Sequence, residues 1–166
     1  MIVSFKGKAP RIAPSAFISK TACIIGDVEI GENSSVWPGA VIRGDWGPIV
    51  IGENAQIEDN AVLHGQVEIG NNVVVGHCAV VESLRIGNDV LIGNGAVILG
   101  GVEIGSSCIV GANSVVLEGT NIPDRSFVAG VPAEIKGQLT RQQEQKLLYF
   151  RYPREFIERY KEEGEL

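Results

Sequence analysis

Aliphatic residues recur at every sixth position over most of this 166-residue chain. The spacing runs in three registers, which are separated by one gap of nine residues and one gap of five. Four residues after most of these positions stands a small or β-branched residue, such as Ala55 or Ala61. A six-residue period of this kind is typical of a parallel β-helix, in which each hexad is a short strand followed by a turn. The aliphatic positions are Ile12, Ile18, Ile24, Ile30, Val36, Ile42, Ile51, Ile57, Leu63, Ile69, Val75, Val81, Ile86, Ile92, Ile98, Ile104, Val110, Val116, Ile122 and Val128.

The period predicts a triangular prism, because three hexads make one coil of about 18 residues. Residues 12 to about 133 would then form roughly seven coils, stacked about 4.8 Å apart with the aliphatic side chains inside. Alternating strands of a β-sandwich are the competing interpretation, but they do not explain a period of six. The 21 glycines argue against a helical bundle and for many tight turns. We therefore predict a mainly β chain with a β-helix over residues 1–136.

The last segment, residues 137–166, predicts a C-terminal α-helix. Thr140 and Gln143 have the spacing of a capping box at its start. Pro153 is expected to break or kink the helix. We expect the helix to pack on the β-helix or on a neighbouring subunit through an approximate apolar stripe. The stripe consists of Leu147, Leu148, Tyr152, Phe156, Ile157 and Tyr160.

Charge and composition limit the partners and the compartment. The formal net charge of −6 disfavours binding to nucleic acids or to anionic membranes. No apolar run approaches 18 residues, and the first ten residues lack the apolar core of a signal peptide. The three cysteines, Cys23, Cys78 and Cys108, have no disulfide-framework spacing. We therefore expect a cytoplasmic protein in a reducing compartment.

The two faults in the register hold residues of a different chemistry. Three extra residues intrude between Ile42 and Ile51, and this segment contains Arg43, Gly44, Asp45 and Trp46. One residue is missing between Val81 and Ile86, and the shortened hexad begins with Glu82. Irregularities in a repeat often mark functional positions, so both faults are candidates.

The only two histidines lie between the two faults. His64 directly follows the inward Leu63, and Glu82 directly follows the inward Val81, 18 residues later. The two side chains should therefore stand on one face about 4.8 Å apart, close enough to share a metal ion. His77 follows Val75 by two positions and falls on another side of the prism. The spacing suggests a site between subunits, built from His64 and Glu82 of one chain and His77 of another; solvated side chains are the alternative.

Four segments resemble the gamma-class carbonic anhydrase family, and in particular its smaller bacterial and archaeal branch. They are SVWPGAVIRGD (35–45), IGENAQIEDNAVLH (51–64), VGHCAVVES (75–83) and VAGVPAEI (128–135). The resemblance covers nearly the whole chain. It implies a left-handed β-helix with a C-terminal helix, and a homotrimer with three zinc sites at subunit interfaces, each with three histidines. The hexads and the GVPA ending are shared with many hexapeptide acyltransferases.

The resemblance also assigns the metal ligands. The family's first ligand histidine falls on His64 and its second on His77, whereas Glu82 occupies the place of the third. Two histidines and one carboxylate are still a legitimate metal set, found in zinc hydrolases and at non-haem iron. We expect Zn²⁺, with Fe²⁺ or Co²⁺ as alternatives. A carboxylate ligand cancels one positive charge, so the metal should lower the pKa of its water less than three imidazoles would allow.

Four further residues match catalytic positions of the family. Arg43 and Asp45 fall on the Arg and Asp of its RGD turn, which link subunits and organise the site. A salt bridge that stabilises a protruding loop is the plainer interpretation of this pair. Asp59 falls on the Asp of the family's Gln-Asp pair, and Glu58 stands where the family has the Gln that orients the bound hydroxide. Glu58 is a candidate base for the water, or it merely adds negative charge.

The leading hypothesis is a gamma-carbonic-anhydrase-like metalloprotein that converts CO₂ and water to bicarbonate and a proton. The altered ligand set predicts weak or lost activity. One alternative is a hexapeptide acyltransferase, in which a histidine is the general base and coenzyme A lies along the prism. A second alternative is a trimeric assembly module whose metal is structural or absent.

Overall fold

A computed structural model describes residues 1–149, 152 and 154–163. It shows a parallel β-solenoid of about seven turns followed by two helices, as the hexad period predicts for the mainly β part. The strands are β1 (Ile2–Val3), β2 (Arg11–Ile12), β3 (Phe17–Ile18), β4 (Cys23–Ile30), β5 (Ser35–Val36), β6 (Val41–Ile51), β7 (Gln56–Ile57), β8 (Val62–His64), β9 (Val67–Ile69), β10 (Val74–Val75), β11 (Val80–Val81), β12 (Arg85–Ile86), β13 (Leu91–Ile92), β14 (Val97–Ile98), β15 (Glu103–Ile104), β16 (Ile109–Val110), β17 (Val115–Val116), β18 (Asn121–Ile122), β19 (Ser126–Gly130) and β20 (Ala133–Gln138). The helices are α1 (Arg141–Tyr149) and α2 (Arg154–Glu163).

The strands form three faces of a prism. The first face contains β1, β8, β11, β14 and β17, and the second contains β2, β9, β12, β15 and β18. The long strands β4 and β6 run through both of these faces and join them into one sheet of 12 strands. The third face is a separate sheet of eight strands, which begins at β3 and ends with the antiparallel β20 beside β19.

The predicted inward aliphatic residues form the core. Neighbouring coils place them in direct register, as in Leu63 opposite Val81 and Ile57 opposite Val75. From Ile24 onward all of them are buried, whereas Ile12 and Ile18 in the first coil are half-buried. The hexad period therefore identifies the aliphatic positions of the core correctly, and strands β4, β6 and β9 add the further inward residues Val28, Ile49 and Val67.

The nine-residue gap is absorbed by strand structure and not by a protruding loop. β6 is an 11-residue strand that continues through the gap and turns from the first face to the second. Its pairing with β4 shifts register between Gly26 and Val28, which accommodates the extra residues. Trp46 lies within this strand and is 87% exposed.

The C-terminal segment forms two helices where the sequence predicts one. Thr140 and Gln143 make the expected capping box, because each backbone N–H donates to the other's side chain. Leu147 of α1 packs with Ile109, and Ile157 of α2 packs with Phe17 and Trp37, so both helices contact the third face of their own chain. Pro153 and the side chain of Leu148 lie outside the described residues. No helix in the described residues combines the length and apolar character needed to cross a membrane.

Candidate metal centre

One edge of the prism differs from the other two in backbone conformation over three successive coils. At most corners the third residue after the inward aliphatic has a left-handed backbone, as in Asn54 (φ 54°) and Asn72 (φ 59°). Asn adopts this conformation readily, which explains its frequency there. At the edge between the first and second faces, Asp45, Gln66 and Leu84 take this place in successive coils, and none of them has a positive φ. Both register faults therefore fall on this edge.

A first polar cluster lies along this edge, and we call it the His64 cluster. It consists of Arg43, Asp45, His64 and Glu82. Arg43 and His64 are direct neighbours in adjacent strands, and Arg43 Nη2 lies 2.9 Å from His64 Nε2. On the other side of the ring, His64 Nδ1 lies 3.8 Å from Glu82 Oε1. The one-coil spacing of His64 and Glu82 thus brings the two side chains together.

Asp45 contacts both Arg43 and His64 in the His64 cluster. Its Oδ1 lies 3.4 Å from both Arg43 Nε and His64 Nε2. The same oxygen is buried and has no hydrogen bond of acceptable geometry within the described residues. A buried carboxylate oxygen without a hydrogen bond is costly, so its two cationic or ionisable neighbours at 3.4 Å are what offset its burial.

A second polar cluster surrounds His77, and we call it the His77 cluster. His77 Nδ1 lies 2.9 Å from Asp59 Oδ2, and His77 Nε2 lies 3.2 Å from Glu58 Oε2. The three residues stand at the edge between the third and first faces. The His64 cluster and the His77 cluster therefore lie on opposite edges of the first face, and the structure does not bring them together within one chain.

Burial shapes the chemistry of Glu58. Its side chain is only 9% exposed, and burial raises its pKa, while the nearby His77 and a hydrogen bond from Tyr152 lower it in part. Burial, together with the negative charges of Glu58 and Asp59, raises the pKa of Tyr152 to about 12. Tyr152 therefore stays protonated at neutral pH and donates its hydrogen bond to the Glu58 carboxyl group.

Tyr152 is the functional candidate that sequence reasoning missed. The apolar stripe assigns it to packing, and its ring does contact Trp37, with centroids 4.9 Å apart. Gln56 Nε2 also lies 3.5 Å from the Tyr152 carbonyl oxygen. A tyrosine at helical spacing carries no signal of a polar contact with Glu58, 94 residues earlier in the chain, so only the fold reveals it.

The residues present fit a metal ion only if two chains contribute. Within the described residues of one chain, no three His, Cys, Asp or Glu side chains are grouped closely enough to hold a metal. Two ligands of a tetrahedral zinc ion stand about 3.4 Å apart. The 3.8 Å between His64 Nδ1 and Glu82 Oε1 is close to that separation. The separation of these two atoms is therefore compatible with two ligands of one ion, which is fewer than the three or four protein ligands of a zinc site.

Comparison with known proteins agrees with the fold and with the sequence resemblance. The family model described as bacterial transferase hexapeptide (six repeats) matches residues 9–44, 48–83 and 84–118. A carbonic anhydrase from Geobacillus kaustophilus (strain HTA426) is 40% identical over 163 residues, which cover 96% of this chain and 88% of that protein. The crystal structure of a putative acetyltransferase from Bacillus cereus is 35% identical, with a TM-score of 0.85, and the match covers 95% of this chain and 93% of that one.

A plant relative is longer than this chain. Gamma carbonic anhydrase 2, a mitochondrial protein of Arabidopsis thaliana, is 37% identical over 143 residues, which cover 80% of this chain. The chain spans only about half of that relative, 51% of its length. The two carbonic anhydrase matches and the repeat family cover most of the same solenoid. The chain therefore belongs to the bacterial transferase hexapeptide-repeat family, and gamma carbonic anhydrases are among its homologues.

Proposed function

We propose that this protein is a gamma-carbonic-anhydrase-type metalloprotein that hydrates CO₂ to bicarbonate between subunits of a homotrimer. The observation that carries the proposal is the division of the ligands. The His64 cluster and the His77 cluster lie on opposite edges of one face. The first contains two of the proposed ligands and the second contains one, so neither cluster is a complete metal site alone. A threefold arrangement brings the opposite edges of neighbouring copies together, which completes one site at each of three interfaces.

The surface between the two clusters supports the assembly. Five consecutive strands of the first face, β6, β8, β11, β14 and β17, each present a valine outward, and these valines stand in register from one coil to the next. They are half-buried in the single chain, although they point away from the prism core. Leu117, in the column of His64 and Glu82, is 50% exposed. A continuous apolar face of this kind is suited to a partner subunit. The outward valines are Val41, Val62, Val80, Val97 and Val115.

The proposed ligands are His64 and Glu82 of one subunit and His77 of the partner subunit. When bound, a divalent metal supplies a Lewis acid that makes water nucleophilic near neutral pH. Zn²⁺ suits two imidazoles and a carboxylate, and Fe²⁺ and Co²⁺ suit the same set. The negative charge of Glu82 weakens that Lewis acid relative to a third imidazole, so we expect slow hydration.

The His77 cluster supplies orientation and a proton acceptor. Asp59 Oδ2 lies 2.9 Å from His77 Nδ1, where it would keep the ring proton on Nδ1 and leave the Nε2 lone pair for the metal. Glu58 Oε2 lies 3.2 Å from that Nε2 and is placed to accept a proton from the water. Tyr152 holds the Glu58 carboxyl group in this position.

A second candidate function is acyl transfer. The Asp59–His77 pair has the form of a general base held by a carboxylate, and a hexapeptide transferase family protein is among the structural neighbours. The same Asp59–His77 pair would orient a metal ligand, so its geometry alone does not separate the two functions. Binding of coenzyme A, measured by calorimetry, would favour this function over CO₂ hydration.

Metal analysis and stopped-flow CO₂ hydration on anaerobically purified protein test the proposal. We expect one divalent metal per chain and measurable hydration in the wild type. His64→Ala and His77→Ala should each lose metal and activity. Glu82→His should raise the hydration rate, whereas Glu68→His, at an exposed position on the second face, should not.

Three outcomes would contradict the proposal in different ways. A wild type without metal, beside a Glu82→His variant that binds metal, would show that Glu82 marks a lost site. Full metal occupancy without hydration would favour a structural metal in an assembly module. Metal binding that survives His77→Ala would exclude the partner's histidine as a ligand.

A further inference from the structure

We propose that the Arg43 guanidinium and the metal ion compete for His64, so that the Arg43–His64 hydrogen bond must break before the ion binds. The inference rests on the metal site proposed above and adds a role for Arg43 that the ligand set alone does not contain. In the metal-free chain, the Arg43 guanidinium then occupies the position beside His64 that the metal ion would take.

The hydrogen bond fixes which imidazole nitrogen carries the proton. A guanidinium has only donors, so the contact of 2.9 Å from Arg43 Nη2 requires His64 Nε2 to accept with its lone pair. Asp45 Oδ1 lies 3.4 Å from the same nitrogen but makes no hydrogen bond of acceptable geometry, so it does not compete for this assignment. In the neutral ring the proton is then on Nδ1, which faces Glu82 at 3.8 Å. The donor-only character of Arg43 thus assigns the tautomer of His64 in the metal-free chain.

Both ways of binding a metal are incompatible with this hydrogen bond. If His64 binds through Nε2, the metal uses the lone pair that now accepts from Arg43. If His64 binds through Nδ1, the neutral ring carries its proton on Nε2, and two donors then face each other. Neutral imidazole is the form that binds metals, so Arg43 must move away in either case.

Asp45 makes this movement possible. Asp45 Oδ1 lies 3.4 Å from Arg43 Nε, so the guanidinium keeps an ionic partner after it releases His64. The Arg43 side chain is 46% exposed, which leaves it room to turn outward. Arg43 is also in direct register with His64 on the neighbouring strand, so the effective concentration of its guanidinium at the imidazole ring is high.

Metal affinity measured against a chelator tests the inference. We expect Arg43→Met and Arg43→Leu to bind Zn²⁺ about tenfold more tightly than the wild type, because the ion no longer displaces a charged hydrogen bond. Arg85→Met is the matched control, since Arg85 is exposed on the second face, and it should leave the affinity unchanged. Sedimentation of each variant shows whether its assembly is intact.

Nitrogen NMR of the metal-free protein gives an independent readout. We expect the Nδ1–H tautomer of His64 in the wild type and a mixture of tautomers in Arg43→Met. An Nε2–H tautomer in the wild type would overturn the inference, as would unchanged or weaker Zn²⁺ binding by both Arg43 variants in assembled form. If the wild type and both variants fail to bind Zn²⁺ while the Nδ1–H tautomer is seen, the proposed metal site is wrong and the competition with it.

Discussion

Tyr152 shows what a register can and cannot predict about single residues. The hexad count places His64 and Glu82 one coil apart, and their ring and carboxyl atoms do lie 3.8 Å apart. The same count places His77 on another side of the prism, where the structure has it. The count cannot predict that Tyr152 donates to Glu58, because that contact depends on how the helical segment packs against the third face.

The hydroxyl of Tyr152 should matter for both stability and protonation. Tyr152→Phe keeps the ring contact with Trp37 but removes a hydrogen bond to a buried carboxyl group. We expect the free energy of unfolding to fall by about 1–2 kcal/mol. The pKa of Glu58 should rise further, because burial already raises it and the Tyr152 hydrogen bond lowers it. Urea denaturation and carboxyl ¹³C NMR measure the two effects.

Tyr160→Phe is the control for this substitution. Tyr160 packs its ring on Trp37 from the same helical segment, with centroids 5.0 Å apart. The control should leave the Glu58 titration where it is in the wild type. Equal effects of the two substitutions would mean that the ring packing, and not the Tyr152 hydroxyl, determines the behaviour of Glu58.

The pairing of β4 with β6 shows why the sequence locates a register fault without predicting its shape. The nine-residue gap marks the position, and a protruding loop is the natural expectation there. Strands β4 and β6 both stay extended instead, because glycines allow their backbones to come into contact where the register shifts. A Cβ on Gly44 would lie 2.4 Å from the Asp27 carbonyl oxygen, and one on Gly26 would lie 2.5 Å from the Gly44 carbonyl oxygen.

This contact predicts a specific intolerance at Gly44. Gly44→Ala forces a methyl group against the backbone of the neighbouring coil, so we expect a loss of about 1–3 kcal/mol in the free energy of unfolding. Gly100→Ala is the matched control, because nothing lies within 4 Å of the added methyl group there. Thermal or urea unfolding compares the two, and a loss at Gly44 no larger than at Gly100 would contradict the close approach of the two strands.

The solenoid as a unit is predictable because its core repeats and each coil contacts only its neighbours. The structure of the C-terminal helical segment is less predictable. The capping pair at Thr140 and Gln143 is visible in the sequence, and Pro153 predicts a break, but the packing of α1 and α2 on the third face is not visible. Assembly is harder still to predict. An outward residue precedes the inward one in every short strand, and only the register of five outward valines in successive coils defines a continuous apolar face.

The apolar first face yields the last prediction, which concerns assembly. A chain of 17.7 kDa that forms a trimer should sediment at three times that mass, about 53 kDa. Val97→Lys places a charge in the outward valine row, where it stays solvated in the single chain but would be buried in the assembly. We expect this variant to remain folded by circular dichroism, to sediment as a monomer, and to lose its bound metal.

Glu103→Lys on the second face is the control, because it changes a charge at an exposed position outside the proposed interface. It should remain trimeric and retain metal. The coupling of mass and metal is what distinguishes a shared site from one within a single chain. A Val97→Lys monomer that still binds one metal per chain would place all the ligands in one subunit, and the division of the site between His64 and His77 would then be wrong.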